Sequence, residues 1–256
     1  MKLRIVALVF LWGGALLADE PKRLLFIGQS PDGHPPTTHE YMDGLKVLED
    51  VLKPVKRFLI TTVKADGKWE NGPELIDRAD GIVMFVSEGA KWTSSDEKRL
   101  AAFQRAAKRK AGLVVLHWGM GCKDAKPIDD FLALFGGCHG GPNRKYTVVE
   151  SNVTPEKAHP IAVGIEPFRA KDEFYHHLKF VKPEDSVRPV VSVEIEGTRQ
   201  TIAWSWDRPA GGRSFGFSGL HFHENWKKPE YRRLVAHAVL WTNGLPIPEQ
   251  GLPVGE

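Results

Sequence analysis

Four apolar residues, Leu113 to Leu116, run directly into a histidine, and this constrains the fold more than any other feature of the chain. The segment 112–119 reads GLVVLHWG. A strand that is apolar at every position has both faces covered, as in a parallel sheet held between helices. In open sheets of that kind, ligands bind in the crevice outside the carboxyl ends of the strands. His117 stands at such an end, where it can move a proton or ligate a metal. Gly119 and Gly121 leave the following backbone free to turn sharply or to approach a ligand closely. The competing reading is a structural histidine bonded to a neighbouring carbonyl.

Strands alternate with helices on the N-terminal side of that segment. Lys22–Gln29 predicts a first strand, followed by a polar loop from Ser30 to Pro36. A helix capped by Thr38 runs to about Leu52, with Met42, Leu45, Leu48, Val51 and Leu52 at helical spacing. Val55–Val63 and Ile82–Val86 predict two further strands. Ser94 or Ser95 opens a helix to Lys110, which Gly112 ends. This alternation, over about Lys22 to Phe135, implies a parallel sheet with right-handed crossovers. From Lys145 the texture changes. Tyr146–Val149, Val190–Ile195, Thr201–Trp204 and Ser214–Phe217 read as strands without helices between them, with a hairpin turn at Glu196-Gly197-Thr198. Glu230–Trp241 predicts a closing helix. The expected class is α/β, a three-layer, mainly parallel sheet flanked by helices, with added antiparallel strands in the C-terminal half.

Residues 1–18 read as an export signal: Lys2 and Arg4, an apolar stretch from Ile5 to Leu17, then Ala18. The stretch is short of the roughly 20 residues of a transmembrane helix, and no later run is long enough to span a bilayer. The expected location is therefore periplasmic or extracellular. Residues 19–245 are expected to form one domain and 246–256 an irregular tail rich in Pro and Gly. Of the 35 Lys and Arg, removal of Lys2 and Arg4 leaves 33 against 32 Asp and Glu. That balance argues against a nucleic-acid partner, which needs a basic stripe. Cys122 and Cys138 have no metal-ligand spacing. In an oxidising compartment they could pair, and the alternative is two separate buried thiols.

Other polar residues stand where they could join His117. His139 lies in the glycine-rich segment 136–142. Segment 172–177, DEFYHH, supplies Glu173 and Tyr175, with at most one of His176 and His177 pointing inward. His221 and His223 share a face if the chain there is extended. If these loops meet at the carboxyl edge of the sheet, His117, Glu173 and His221 form a catalytic core, and His117, His221 and His223 offer a metal set. Imidazole and carboxylate suit zinc or another divalent ion, and equally serve as acid and base. His34, His39, His159 and His237 are read as structural. Trp118, His139, Tyr175 and Trp226 are candidate substrate-binding residues, since aromatic faces beside polar groups suit sugar rings. No nucleotide cofactor is expected, because there is no Walker loop and no Gly-x-Gly-x-x-Gly after the first strand.

The strand ending on His117, the segments His159-Pro160-Ile161 and Gly164-Ile165, and Asp172–Tyr175 occur in a telling order. Ala203-Trp204, the run Gly211–His221 and Trp241–Leu245 complete it. Together, over about Arg23 to Leu245, they resemble the ThuA-like (trehalose-utilisation) family. The resemblance implies a class I glutamine amidotransferase-like, flavodoxin-like fold and a link to disaccharide utilisation. That fold normally carries a nucleophilic Cys after its central strand. His117 and Trp118 stand there instead, which argues against glutaminase chemistry. The expected function is an exported protein acting on a small carbohydrate, a disaccharide or an oxidised sugar, by acid–base or metal-assisted chemistry. Hydrolysis, elimination and isomerisation stay open. The alternatives are a non-catalytic carbohydrate-binding protein using the same cleft, and an interaction module that keeps only the fold.

Overall fold

The apolar runs that mark strands in the sequence form the middle of a large sheet. The computed structural model describes residues 20–255, so the expected export signal lies outside the described residues. In chain order the first half comprises β1 (Lys22–Gly28), α1 (Tyr41–Leu52), β2 (Phe58–Lys64), α2 (Gly72–Arg78), β3 (Gly81–Phe85), α3 (Gly89–Ser94), α4 (Glu97–Lys108) and β4 (Gly112–Leu116). There follow β5 (Gly121–Cys122), α5 (Ile128–Phe135), β6 (Gly137–Gly140), β7 (Lys145–Pro155), β8 (Phe168–His176) and β9 (Lys179–Phe180). The chain closes with β10 (Val187–Ile195), β11 (Thr198–Asp207), β12 (Arg213–Phe217) and α6 (Pro229–Thr242).

Nine strands form one sheet in the order β2-β1-β3-β4-β12-β11-β10-β7-β8. From β2 to β12 the pairings are parallel. From β12 to β8 they are antiparallel. Every residue of β3 and β4 is buried, because helices cover both faces. Alternate side chains divide between the faces. Val83, Phe85, Val114 and Leu116 join the core beneath α1 and α6, while Ile82, Met84, Leu113 and Val115 join the core beneath α2, α4 and α5. The result is the three-layer α/β fold expected from the sequence. A small second sheet, β5-β6-β9, sits beyond the end of β4. β7 and β8 pair from Lys145↔His176 to Val153↔Phe168, although only the last three residues of β7 also reach β10. The free part of this hairpin brings Glu173 and Tyr175 to the end of β4.

Three local expectations are corrected. Thr38 does not cap α1, which begins at Tyr41 after Glu40. Its hydroxyl donates to Pro35 O at 2.5 Å, and its backbone bridges to Phe222. Neither Ser94 nor Ser95 caps α4. Asp96 does, accepting from Arg99 N at 2.8 Å, because Gly89–Ser94 is already a short helix of its own. Residues 246–255 contain no helix or strand, yet Leu252 and Val254 are buried against the core around α6. No helix among the described residues is long and apolar enough to cross a membrane.

Candidate functional site

The site is assembled from the carboxyl ends of β1, β3, β4 and β12. At the end of β4 the backbone of His117 turns to φ +45°. Positive φ is costly for a residue with a Cβ, and such residues persist where the surroundings hold them in place. His39 and Leu220, at φ +52° and +75°, repeat the feature in the loops after β1 and β12. These two loops are tied together, His39 N donating to His221 O at 3.1 Å and His223 N to Thr37 O at 2.7 Å.

Three imidazoles meet there. His39 Nε2, His117 Nε2 and His221 Nδ1 lie 3.1 to 3.2 Å from one another. Tyr175 Oη is 3.0 Å from His117 Nε2. The outer nitrogens are held by acceptors, His117 Nδ1 by Ser218 O at 2.7 Å and His39 Nδ1 by the Asp32 carboxylate at 3.0 Å. Acceptors of this kind place a hydrogen on Nδ1 in both rings and aim both Nε2 atoms at the point where the three rings meet. Asp32 is fixed in turn by the hydroxyls of Tyr41 at 2.7 Å and Ser87 at 2.8 Å. Burial raises its pKa, but the hydrogen bonds from His39, Tyr41 and Ser87 outweigh this and hold the carboxyl well below the usual range.

Burial lowers the pKa of His117 well below its usual value, with the His39 and His221 charges acting the same way. Burial, with the His39 and His34 charges, pushes His221 down to about 4. Both rings are therefore neutral near pH 7. Glu173 Oε1 stands 3.9 Å from His117 and 3.7 Å from His221, too far for hydrogen bonds, and burial raises its pKa. Burial likewise keeps the Tyr175 phenol protonated. Beside the triad opens a cavity of about 210 Å³, which Trp118, His139, Glu173 and Tyr175 help to line.

The sequence candidates divide accordingly. His117, Glu173, His221, Tyr175, Trp118 and His139 come together. His223 does not join the metal-competent trio: the strand β12 ends at Phe217, and His223 opens a turn of 3₁₀ helix. Trp226 packs in the core against Phe85 and does not line the cavity. His39, read from the sequence as structural, takes the place proposed for His223. His34 also lines the cavity, with Nδ1 2.6 Å from Asp32. His159 and His237 are hydrogen-bonded away from the site, to Ser205 and to Ile161 O. Sequence reasoning missed Asp32, Tyr41 and Ser87. The sequence places the polar loop carrying Asp32 and His39 at the carboxyl end of β1, but nothing in its composition sets those two residues apart. Cys122 and Cys138 are both free and buried.

A histidine-centred site on the carboxyl edge of an α/β sheet defines the class. The ThuA family profile, described as trehalose utilisation, matches residues 32–242. The chain belongs to the ThuA family, which ties it to trehalose and carbohydrate utilisation in general. Among solved structures it is similar to a ThuA-like protein of Bacteroides uniformis, at 14% identity and a TM-score of 0.67, over 90% of this chain and 94% of that one. Two glutamine amidotransferase-like folds also align. One is the glutaminase domain of Trypanosoma brucei CTPS, at 11% identity and TM-score 0.49 over 91% and 100% of the two chains. The other is PurLQS of Thermotoga maritima, at 15% identity and TM-score 0.47 over 87% and 99%. No curated protein matches the sequence.

Proposed function

We propose that the protein acts on a small carbohydrate, a disaccharide or an oxidised sugar, at a metal-assisted acid–base site held by His39, His117 and His221. One observation carries the reading. The Nε2 atoms of His39 and His117 face each other at 3.1 Å with a third nitrogen equally near. Three ring nitrogens converging at that spacing are a ready ligand set for a cation. A tetrahedral zinc site with Zn–N of about 2.0–2.1 Å has nitrogen–nitrogen edges of about 3.3–3.4 Å, close to the spacing here. Asp32 and Ser218 O, on the outer nitrogens, match the partners that orient metal-bound histidines.

When bound, such an ion supplies Lewis acidity toward a sugar carbonyl or hydroxyl oxygen. Glu173 moves the proton, its pKa raised above the usual carboxylate value by burial. Tyr175 stays protonated and donates to the reacting oxygen. Trp118 and His139 form the walls. The cavity has the volume of about seven waters, at roughly 30 Å³ each, which suits one sugar ring. These groups serve hydrolysis, elimination or isomerisation alike. The reading includes export, for which the charged and then apolar start of the chain is the support.

The test is metal content, measured by elemental mass spectrometry on wild type and on a His117→Ala/His221→Ala variant. About one equivalent of a divalent ion in wild type, lost in a variant that still folds, is the expected result for a single site. Metal-free wild type after metal-replete dialysis would sink the metal-assisted part. Tight sugar binding with no turnover in metal-loaded protein would favour the non-catalytic reading.

A further inference from the structure

The cavity beside the histidine triad carries a cation with no carboxylate to answer it. Lys123, also in its wall, is ion-paired with Glu88 at 3.1 Å, and His34 is hydrogen-bonded to Asp32 at 2.6 Å. Arg144 is ion-paired with no described residue. Among the described residues its hydrogen bonding is one long contact, from Nη1 to Gly141 O at 3.4 Å, and its guanidinium carbon stands 5.8 Å from the Trp118 ring. The half-buried Arg144 sits in the turn between β6 and β7 and lines the cavity with most of its donors unused.

His139 adds an independent observation. Its ring is 2% exposed, lines the same cavity, and has Nε2 buried without a hydrogen-bond partner. The ring cannot easily swing to find one. It stacks on Tyr175 at 3.9 Å with 6° between planes and meets the Trp118 ring edge-on at 5.9 Å. A buried polar atom left unpaired is costly, and a polar group entering beside this ring would complete it. Burial, with the Arg144 and Lys179 charges nearby, pushes the His139 pKa down to about 3. His139 therefore adds a hydrogen-bonding nitrogen and no charge.

We infer that Arg144 and His139 form an oxyanion-reading subsite, and that the sugar bound beside the triad carries a carboxylate, as uronic and aldonic acids do. The inference rests on the carbohydrate reading above for the ring, and on these two residues for the acid group. A guanidinium fork matches a carboxylate in two parallel hydrogen bonds. Among the described side chains that line the cavity, Arg144 is the one cation without an ion pair, which suits a single negative charge. A phosphate dianion would bring a second charge into a cavity that Glu173 also lines. The acid group then lies toward Arg144, and the remainder of the ring faces Glu173 and the triad.

The experiment is calorimetric titration of the full protein with D-glucuronate, D-glucose and D-glucose 6-phosphate, repeated on Arg144→Ala and Arg144→Lys. Metal content and thermal unfolding are recorded for each preparation. Glucuronate is expected to bind about tenfold or more tighter than glucose, as one charge-assisted contact implies. Arg144→Ala should abolish that preference, and Arg144→Lys should keep part of it. Equal binding of glucuronate and glucose, no binding of either, or an unchanged preference in Arg144→Ala would each overturn the subsite. Tighter binding of the phosphate would overturn the carboxylate assignment. Metal content separates the two readings. Failure of the subsite with the ion retained leaves the metal site standing, and glucuronate preference in metal-free protein supports the subsite alone.

Discussion

Asp32 decides which way His39 faces. Its carboxylate takes the Nδ1 hydrogen of His39, and Tyr41 and Ser87 leave it no other orientation. Replacing it with Asn keeps the shape but turns the acceptor pair into half donor, so the His39 tautomer is no longer fixed. Partners of this kind typically contribute about 10–100-fold in metal affinity. Competition with a chelator should show Asp32→Asn losing zinc in that range while its unfolding temperature changes little. Unchanged affinity would mean that His39 is not held through Asp32. At this scale the sequence was legible where a polar residue interrupted an apolar run, as at His117. It was illegible where polar residue followed polar residue. The loop from Ser30 to His39 looks like any solvated turn, and only its tie to residues 221–223 makes it part of the site. The two-residue spacing of His221 and His223 misled because it assumed a strand running through both, whereas β12 ends at Phe217 and His223 opens a 3₁₀ turn.

Among elements, the short helix α3 and the turn after β4 are locked together. A Cβ on Gly89, at the start of α3, would lie 2.0 Å from the carbonyl oxygen of Gly119. The obstacle is backbone, which cannot rotate away. Gly89→Ala must therefore displace the turn that carries His117, and overpacking of this sort costs about 1–3 kcal/mol. For a chain of this size each kcal/mol lowers Tm by about 2–4 °C. Thermal unfolding should show that drop, with reduced metal retention at temperatures where the variant is still folded. A variant with wild-type Tm and full metal content would show that the turn has slack. The main elements were legible because β3 and β4 are apolar throughout, β1 is apolar from Leu24 onward, and α1 and α6 carry apolar faces. Others left no clear mark. The pattern of β8 alternates, with Ala170, Asp172 and Phe174 buried, and its polar inward residue disguises a strand. Asp172 is buried because it accepts from Leu220 N at 2.7 Å and His221 N at 3.1 Å, holding the loop after β12 to the hairpin. That is a tertiary reason, which no local window contains.

Long-range order is the scale at which sequence says least and the fold most. β12 lies nearly 100 residues beyond β4, yet it inserts beside it and joins the parallel half to the antiparallel half. The same closure packs the last segment onto α6 through His237. Its Nδ1 donates to Ile161 O at 2.9 Å, and its Nε2 accepts from Leu252 N at 2.8 Å. Only the neutral ring can make both bonds, because a proton on Nε2 would face the Leu252 N–H. Burial accordingly pushes the His237 pKa down to about 4, below the value of about 6.5 for an unfolded chain. The sign follows. The unfolded chain binds the proton more readily, so this contribution is complete above about pH 6.5 and is lost as pH falls toward about 4. At about pH 5.5 the loss amounts to about 1.4 kcal/mol. His159, also pushed down to about 4 by burial, acts in the same direction. Asp172, pushed up to about 7, opposes them by favouring the folded chain as pH falls through that value. The wild-type profile sums these effects, but a His237→Gln variant isolates one of them. The amide can donate to Ile161 O and accept from Leu252 N without titrating. Between about pH 7.5 and pH 5.5, wild type should lose about 3–6 °C more in Tm than His237→Gln. Parallel Tm profiles for the two proteins would show that the His237 contact, and the tail it holds, carry none of the acid sensitivity.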